Sequence, residues 1–148
     1  MSKVMESFKE YLKTQNHLNI ATVTPENTPI VSTVAYASDD QAAVYFLTDI
    51  KTRKAQNILK NPNVAYTIDD DVLEWNTVKG IQMTGTAMIL KEKEETEAAM
   101  QLIMGKFPQF AEMPKDPKME IVFIKVVPKE AIFSDNTQGF GHRDTLTF

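Results

Sequence analysis

Residues 43–62 read AVYFLTDIKTRKAQNILKNP. The opening run, Ala43 to Leu47, is a short apolar, β-branched and aromatic segment, as expected of a buried strand. The closing Asn61-Pro62 is a helix stop. The segment between them predicts a short helix that buries Ala55, Ile58 and Leu59 on one face. Its first turn is unusual. The positive end of the helix dipole favours acids, yet this turn carries Lys51, Arg53 and Lys54, with the hydroxyls of Thr48 and Thr52 alongside. Two readings stand. In one, a phosphate sits among free backbone N–H groups and basic side chains. In the other, the long cationic side chains splay into water.

The rest of the chain limits those readings. Its 148 residues suit one domain, 1–148, with a single core. A net charge of -4 argues against nucleic acid or an anionic membrane as partner, so the cations near residue 53 are a local feature. There is no cysteine, which removes disulfides, thiol catalysis and thiolate metal sites. With only His17 and His142, a histidine-built metal centre has too few ligands, and no metal site is expected. No apolar run is long enough to span a bilayer, and the acids and lysines near the start do not resemble a signal peptide. A cytoplasmic location is the expectation.

Residues 1–15 read as an amphipathic helix capped by Ser2, with Val4, Phe8, Tyr11 and Leu12 on one face. Strand patterns follow at Leu18–Thr24, Ile30–Ala37 and Val44–Leu47, separated by the turn clusters 25–29 and 38–41. After the basic helix come strands at Asn63–Ile68 and Gly80–Leu90. In the second of these, Gln82, Thr84 and Thr86 alternate against Ile81, Met83 and Ala87. A polar face of this kind either hydrogen-bonds a heterocycle or meets water. Gly85, in mid-strand, suggests a bulge or a close backbone approach. Asp69-Asp70-Asp71 reads as a solvated loop. Trp75, the only tryptophan, either covers a pocket or interface or closes one end of the core. The helix Glu92–Phe107 should bury Met100, Ile103, Met104 and Phe107. A proline-rich loop follows to Pro117, and a sixth strand, Met119–Val127, is interrupted at Pro128-Lys129, with Ala131–Ser134 able to resume pairing. The tail 135–148 lacks periodicity. Its glycines, Phe140 and the His142-Arg143 pair suit either a disordered end or a segment folding over a ligand or a second subunit.

The fold expected is mainly β with peripheral helices: a six-stranded antiparallel barrel or sandwich. Nothing supports a catalytic side-chain set. A nucleophile elbow is absent, and the carboxylates lie in loops or on a helix exterior. A phosphate-suited helix start in a chain poor in catalytic groups points to a borrowed cofactor.

These residues resemble a known family. Strand 43–47, Thr48-Asp49, the Thr52-Arg53-Lys54 helix start and Asn61-Pro62 with Val64 are similar to the corresponding run in pyridoxamine 5′-phosphate oxidase-like flavoproteins. Gly85-Thr86-Ala87 resembles the Gly-x-Ala strand that follows in that family. The likeness runs from about Leu18 to Ile132. It implies a split β-barrel of the FMN-binding type, a homodimer, and FMN at the subunit interface. Carried over, phosphate contacts fall to Arg53, Lys54, Thr48 and Thr52, with Lys51 a weaker match. Ring contacts fall to second-strand positions between Val31 and Tyr36, Val34 among them. The family's flavin-reaching glutamine falls on about Gly80, with Gln82 displaced from it by two, and Trp75 and the tail would limit access to the ring. Related barrels hold deazaflavin or heme instead; heme would want His17 or His142 as an axial ligand. The resemblance implies a flavin-dependent oxidoreductase of an unknown small molecule, with NADH or NADPH as candidate donor. A non-catalytic flavin carrier or sensor is the alternative. So is a barrel without cofactor in which Arg53 and Lys54 meet Asp69–Asp71. The family's second-strand arginine and lysine are missing from residues 29–40, as is its C-terminal vitamin-binding segment, so vitamin B6 oxidation is not expected.

Overall fold

The computed structural model describes residues 2–148. Helix α1 (Lys3–Thr14) begins at Ser2, whose hydroxyl accepts the Met5 N–H, and it buries Phe8, Tyr11 and Leu12. Strands β1 (His17–Val23), β2 (Pro29–Ala35), β3 (Ala37–Ser38) and β4 (Val44–Asp49) come next. Then follow helix α2 (Arg53–Lys60), β5 (Asn63–Asp69), β6 (Lys79–Ile89), helix α3 (Lys93–Lys106), β7 (Ile121–Asp135) and β8 (Arg143–Thr147).

All eight strands form one antiparallel sheet in the order β2-β1-β5-β6-β7-β4-β3, with β8 added to β7. β2 and β3 sit at opposite ends of this order, yet only Tyr36 separates them in the chain. The sheet therefore curls until its two edges meet at Tyr36. That residue is fully buried, its N–H donates to Asn16 O, and its phenol donates to Leu12 O. The closure is incomplete. β3 pairs with β4 only at Ala37–Tyr45 and Ser38–Val44, and beyond those pairs the edges of β2 and β4 part. This opening is the split of a split β-barrel.

Inward residues of the longer strands, including Leu18, Ile20, Val44, Phe46, Ile68, Ile81, Met83 and Ile124, fill the barrel, and α1 lies over one end. Helix α3 packs outside, Ala99 and Ile103 meeting Ala37, Tyr45, Leu90 and Phe123. Gly85 has a steric cause. A Cβ there would lie 2.6 Å from Val127 O and 2.9 Å from Val126 Cγ1, so β6 approaches β7 closely where its register shifts.

Six expectations need correction. Two strands were missed, the short β3 and the tail strand β8. Pro128 does not interrupt the sixth strand; the bulge opposite Gly85 absorbs it and β7 continues to Asp135. The tail is an ordered hairpin, with β8 pairing to β7 from Glu130–Thr147 to Ser134–Arg143. In α2 the buried residues are Ala55, Asn57 and Ile58, whereas Leu59 is 54% exposed. In α3, Met100 and Met104 face outward and the packing stripe is Ala99, Leu102, Ile103 and Phe107. The acidic run is also more than a solvated loop. Asp70 accepts the Tyr11 hydroxyl at 2.7 Å and the Lys79 N–H at 2.9 Å, anchoring α1 to β6. Burial, followed by this carboxylate, drives the Tyr11 pKa up. Among the described residues no helix is long and apolar enough to cross a membrane.

Candidate functional site

The split opens into a cavity of about 420 Å³. Thr33, Val34 and Ala35 of β2 form one side, and Leu47 and Thr48 of β4 the other. Lys54 stands at one rim. Ile103 of α3 and the segment after it, with Phe107, Gln109, Phe110 and Met113, close the outer wall. The physical origin of the site is the divergence of the two strand edges. β2 pairs only with β1, and from Phe46 onward β4 pairs only with β7. Both edges keep backbone N–H and C=O groups available to a ligand.

Helix α2 delivers the cations. Its N-cap, Thr52, makes no capping bond; the Thr52 hydroxyl donates instead to Asp49 O at 2.8 Å and lies 3.0 Å from the Thr48 hydroxyl. The N–H groups of Arg53, Lys54 and Ala55 consequently have no protein acceptor among the described residues. No acid stands in the first turn. Among the described residues the ion pairs are Lys93–Glu97 and His142–Asp144, so neither Arg53 nor Lys54 has a carboxylate partner. Asp69 accepts from Asn19 and Asp70 from Tyr11 and Lys79, and among the described residues no ion pair joins Asp69–Asp71 to this helix start, contrary to the expectation of a barrel in which they meet. Thr48 is buried, whereas Arg53 is exposed. Two unpaired cations, free N–H groups and two hydroxyls at the mouth of an apolar cavity make an anion-binding end joined to an apolar slot.

Val34, Thr48 and Lys54 therefore share one cavity, with Thr52 attached through the Thr48 hydroxyl and Arg53 next to Lys54 on the helix. The other expected residues lie elsewhere in the fold. The Lys51 ammonium donates to Lys118 O at 2.9 Å, tying the β4–α2 loop to the start of β7. Gln82 faces out of the barrel into a separate hollow of about 330 Å³, shared with Asn19, Ala21, Val31, Thr67 and Glu130. Trp75, 69% exposed, rides on the β5–β6 loop, where its carbonyl accepts Asn136 Nδ2 at 2.7 Å. Exposure at this level excludes its closing the core of the barrel. Beside it, Asp135 is buried. Burial alone would raise its pKa, but hydrogen bonds from Thr137 and Gln138 and the charge of Lys79 bring it below the usual value. His142 Nε2 lies 2.9 Å from Asp144 Oδ2 in the tail hairpin, and neither histidine lines the cavity.

Sequence reasoning missed two parts of the site. One is the outer wall, where Phe110 and Met113 in a proline-rich loop were the available signal. The other is Asn57, whose Nδ2 donates to Thr22 Oγ1 at 3.1 Å with both residues buried. A polar residue on the inner face of a short helix leaves no mark in hydrophobic periodicity.

The family model described as pyridoxamine 5′-phosphate oxidase matches residues 4–133. Among curated proteins, a UPF0306 protein of Citrobacter koseri is 38% identical over 109 residues, covering 73% of this chain and 70% of the relative. A UPF0306 protein of Photorhabdus laumondii is 29% identical over 133 residues, covering 90% and 88%. Among solved structures, Campylobacter jejuni ChuZ superposes with a TM-score of 0.81 at 17% identity, covering 99% of this chain and 60% of that one. General Stress Protein 26 of Bacillus anthracis gives 0.72 at 19% identity, covering 99% and 100%. The Vibrio cholerae heme storage protein HutZ gives 0.66 at 18%, covering 86% and 92%. At these identities the structural likeness speaks for the fold alone.

Proposed function

Because this chain belongs to the pyridoxamine 5′-phosphate oxidase family, we propose that it is an FMN-binding homodimer acting as a flavin-dependent oxidoreductase on a small molecule. The observation that carries the reading is the start of α2. Lys54 lines the split there, with Arg53 beside it on the helix, and neither has a carboxylate partner or a side-chain cap among the described residues. Those residues, the free N–H groups behind them and the Thr48 and Thr52 hydroxyls fit a phosphate monoester. The walls from Val34, Leu47, Phe107 and Phe110 fit an apolar planar ring, and the open β2 edge supplies backbone donors and acceptors for its polar rim. When bound, FMN supplies reversible hydride and electron transfer. This chain's residues hold the phosphate, orient the ring and exclude water; no side-chain nucleophile or base is needed.

The homodimer is part of the same proposal. The outer face of β1, β2, β5, β6 and β7 is a shallow hollow carrying Gln82, Ala21 and the 65% exposed Val31, a surface suited to a second copy. Self-association there is our route for Gln82 and Trp75 to reach a neighbouring flavin. As the only tryptophan, Trp75 reports on it directly: dimer formation should shift its emission to the blue, and FMN should quench it. The NADH or NADPH donor belongs to this reading too. A flavin that neither nicotinamide reduces would favour the carrier alternative. The heme reading lacks an axial ligand at the cavity, because His17 and His142 are not part of its lining. The deciding experiment is incubation with FMN followed by desalting and a flavin absorbance spectrum. Retained stoichiometric flavin supports the proposal; none retained ends it.

A further inference from the structure

A second residue pair governs the helix that carries the cations. Asn57 lies one helical turn beyond Arg53 and Lys54, on the inner side of α2. Its Nδ2 donates to Thr22 Oγ1 of β1 at 3.1 Å, with Asn57 6% and Thr22 1% exposed. The remaining inner contacts of the helix, Ala55 and Ile58, are apolar. Apolar contacts are non-directional and let a helix roll or slide at small cost. A buried hydrogen bond fixes both the roll and the axial position, and leaving either partner unsatisfied is costly. The helix ends are already held. Thr52 and Asp49 bracket the start, while Asn61 N–H donates to Asn57 O and Pro62 O accepts the Ala87 N–H. Between them, the Asn57–Thr22 bond is the polar tie between α2 and the barrel wall.

We infer that Asn57 and Thr22 are positioning residues for the anion clamp, setting the roll of α2 so that Arg53, Lys54 and the free N–H groups converge on one phosphate. This rests on the FMN reading above and adds that clamp geometry is set from inside the barrel. Neither residue touches the phosphate. A role in packing alone would affect binding of phosphorylated and unphosphorylated flavin equally; a positioning role affects only the first.

The test compares FMN with riboflavin by fluorescence titration on the intact protein, together with thermal unfolding of the apoprotein. Thr22→Val keeps the shape and removes the acceptor. It should lower the preference for FMN over riboflavin on the order of tenfold, the range seen when outer partners that orient ligating groups are removed, with riboflavin affinity unchanged. Thr22→Ser keeps the hydroxyl and loses only a methyl group, and should retain the preference. The double variant Thr22→Val/Asn57→Leu removes both polar groups, so its folding should be preserved while the preference is still lost. A Thr22→Val or double variant with wild-type preference overturns the positioning role. So does a Thr22→Ser variant that loses the preference, since packing would then be the cause. A wild type that binds FMN no better than riboflavin is a different failure: it removes the phosphate clamp itself, and the positioning role with it.

Discussion

Helix α2 starts at Arg53 and helix α3 at Lys93, and neither N-cap side chain makes a capping bond. The two helices handle the positive end of the dipole in opposite ways. α3 follows its first residue with Glu94 and Glu95 and ties Lys93 to Glu97 at 3.9 Å on an exposed surface. α2 has Arg53 and Lys54 instead and no acid, although in both helices the first three N–H groups lack an acceptor among the described residues. α3 begins in open surface and needs only local neutralisation. α2 begins at the mouth of a cavity, where the missing negative charge can come from a ligand. The contrast shows that an unfavourable helix start becomes informative once its location is known.

The strongest way to break this comparison is to remove the cations. Replacing Arg53 and Lys54 by alanine should weaken FMN binding by about 2–5 kcal/mol, the scale of lost charge-assisted phosphate contacts. Thermal stability of the apoprotein should hold or rise. Unchanged FMN affinity in a calorimetric titration would sink the clamp.

Exchanging the two solutions sharpens it further. Arg53→Glu with Lys54→Glu should abolish FMN retention and stabilise the apoprotein by about 1–2 kcal/mol, because acids then sit at the positive helix end. Glu94→Lys with Glu95→Lys should destabilise by a similar amount and leave FMN affinity alone. If both exchanges alter FMN binding equally, the two helix starts are not different in kind.

The Tyr66 hydroxyl supplies a control. It is buried without a hydrogen-bond partner, and burial drives its pKa up. Unlike the N–H groups of α2, it is enclosed within the barrel. Tyr66→Phe should raise the urea midpoint by an amount equivalent to about 1 kcal/mol with no change in FMN binding. A loss of FMN affinity would mean that the core hydroxyl also serves the ligand.

An effect seen only through its pH dependence lies at the far end of α3. The Lys106 amine stands 4.2 Å from the centre of the Tyr36 ring and donates to Gln15 O. Burial lowers its pKa to about 8 from 10.5. Between those values the unfolded chain holds a proton that the folded chain lacks. Stability from this group therefore rises as pH increases from about 8 to 10.5. Lys106→Met should remove that rise; urea midpoints measured across this window that rise as steeply as in the wild type would refute it.

Much of the fold was legible from local pattern. The alternation of Gln82, Thr84 and Thr86 against Ile81, Met83 and Ala87 gave both faces of β6 correctly, because strand period is intrinsic to the backbone. Gly85 marked a close approach, and Ser2 a cap. Patterns failed where burial depends on distant partners. Met100 and Met104 were expected inside, but α3 turns its Ala99–Ile103 face to the barrel because the small Ala37 and Ala43 leave room there. Asn57, which hydrophobic periodicity does not mark, is buried against Thr22. The tail lacked periodicity because its order comes from pairing with β7 and from local turns, such as Gly141 at φ 81 with its N–H held by Asn136 Oδ1.

The chain's own order of residues was enough to identify six of the eight strands, the three α-helices and the basic helix start, since each depends on periodicity and charge within a few neighbours. Whether those cations met acids, water or a ligand was not a local question. It was decided by sheet closure: the chain crosses from one edge to the other through Tyr36, β3 pairs for only two residues, and the split opens beside Lys54. Residues far apart in sequence, Val34, Thr48, Lys54 and Phe110, become one cavity only when the barrel curls, and long-range burial drives that step.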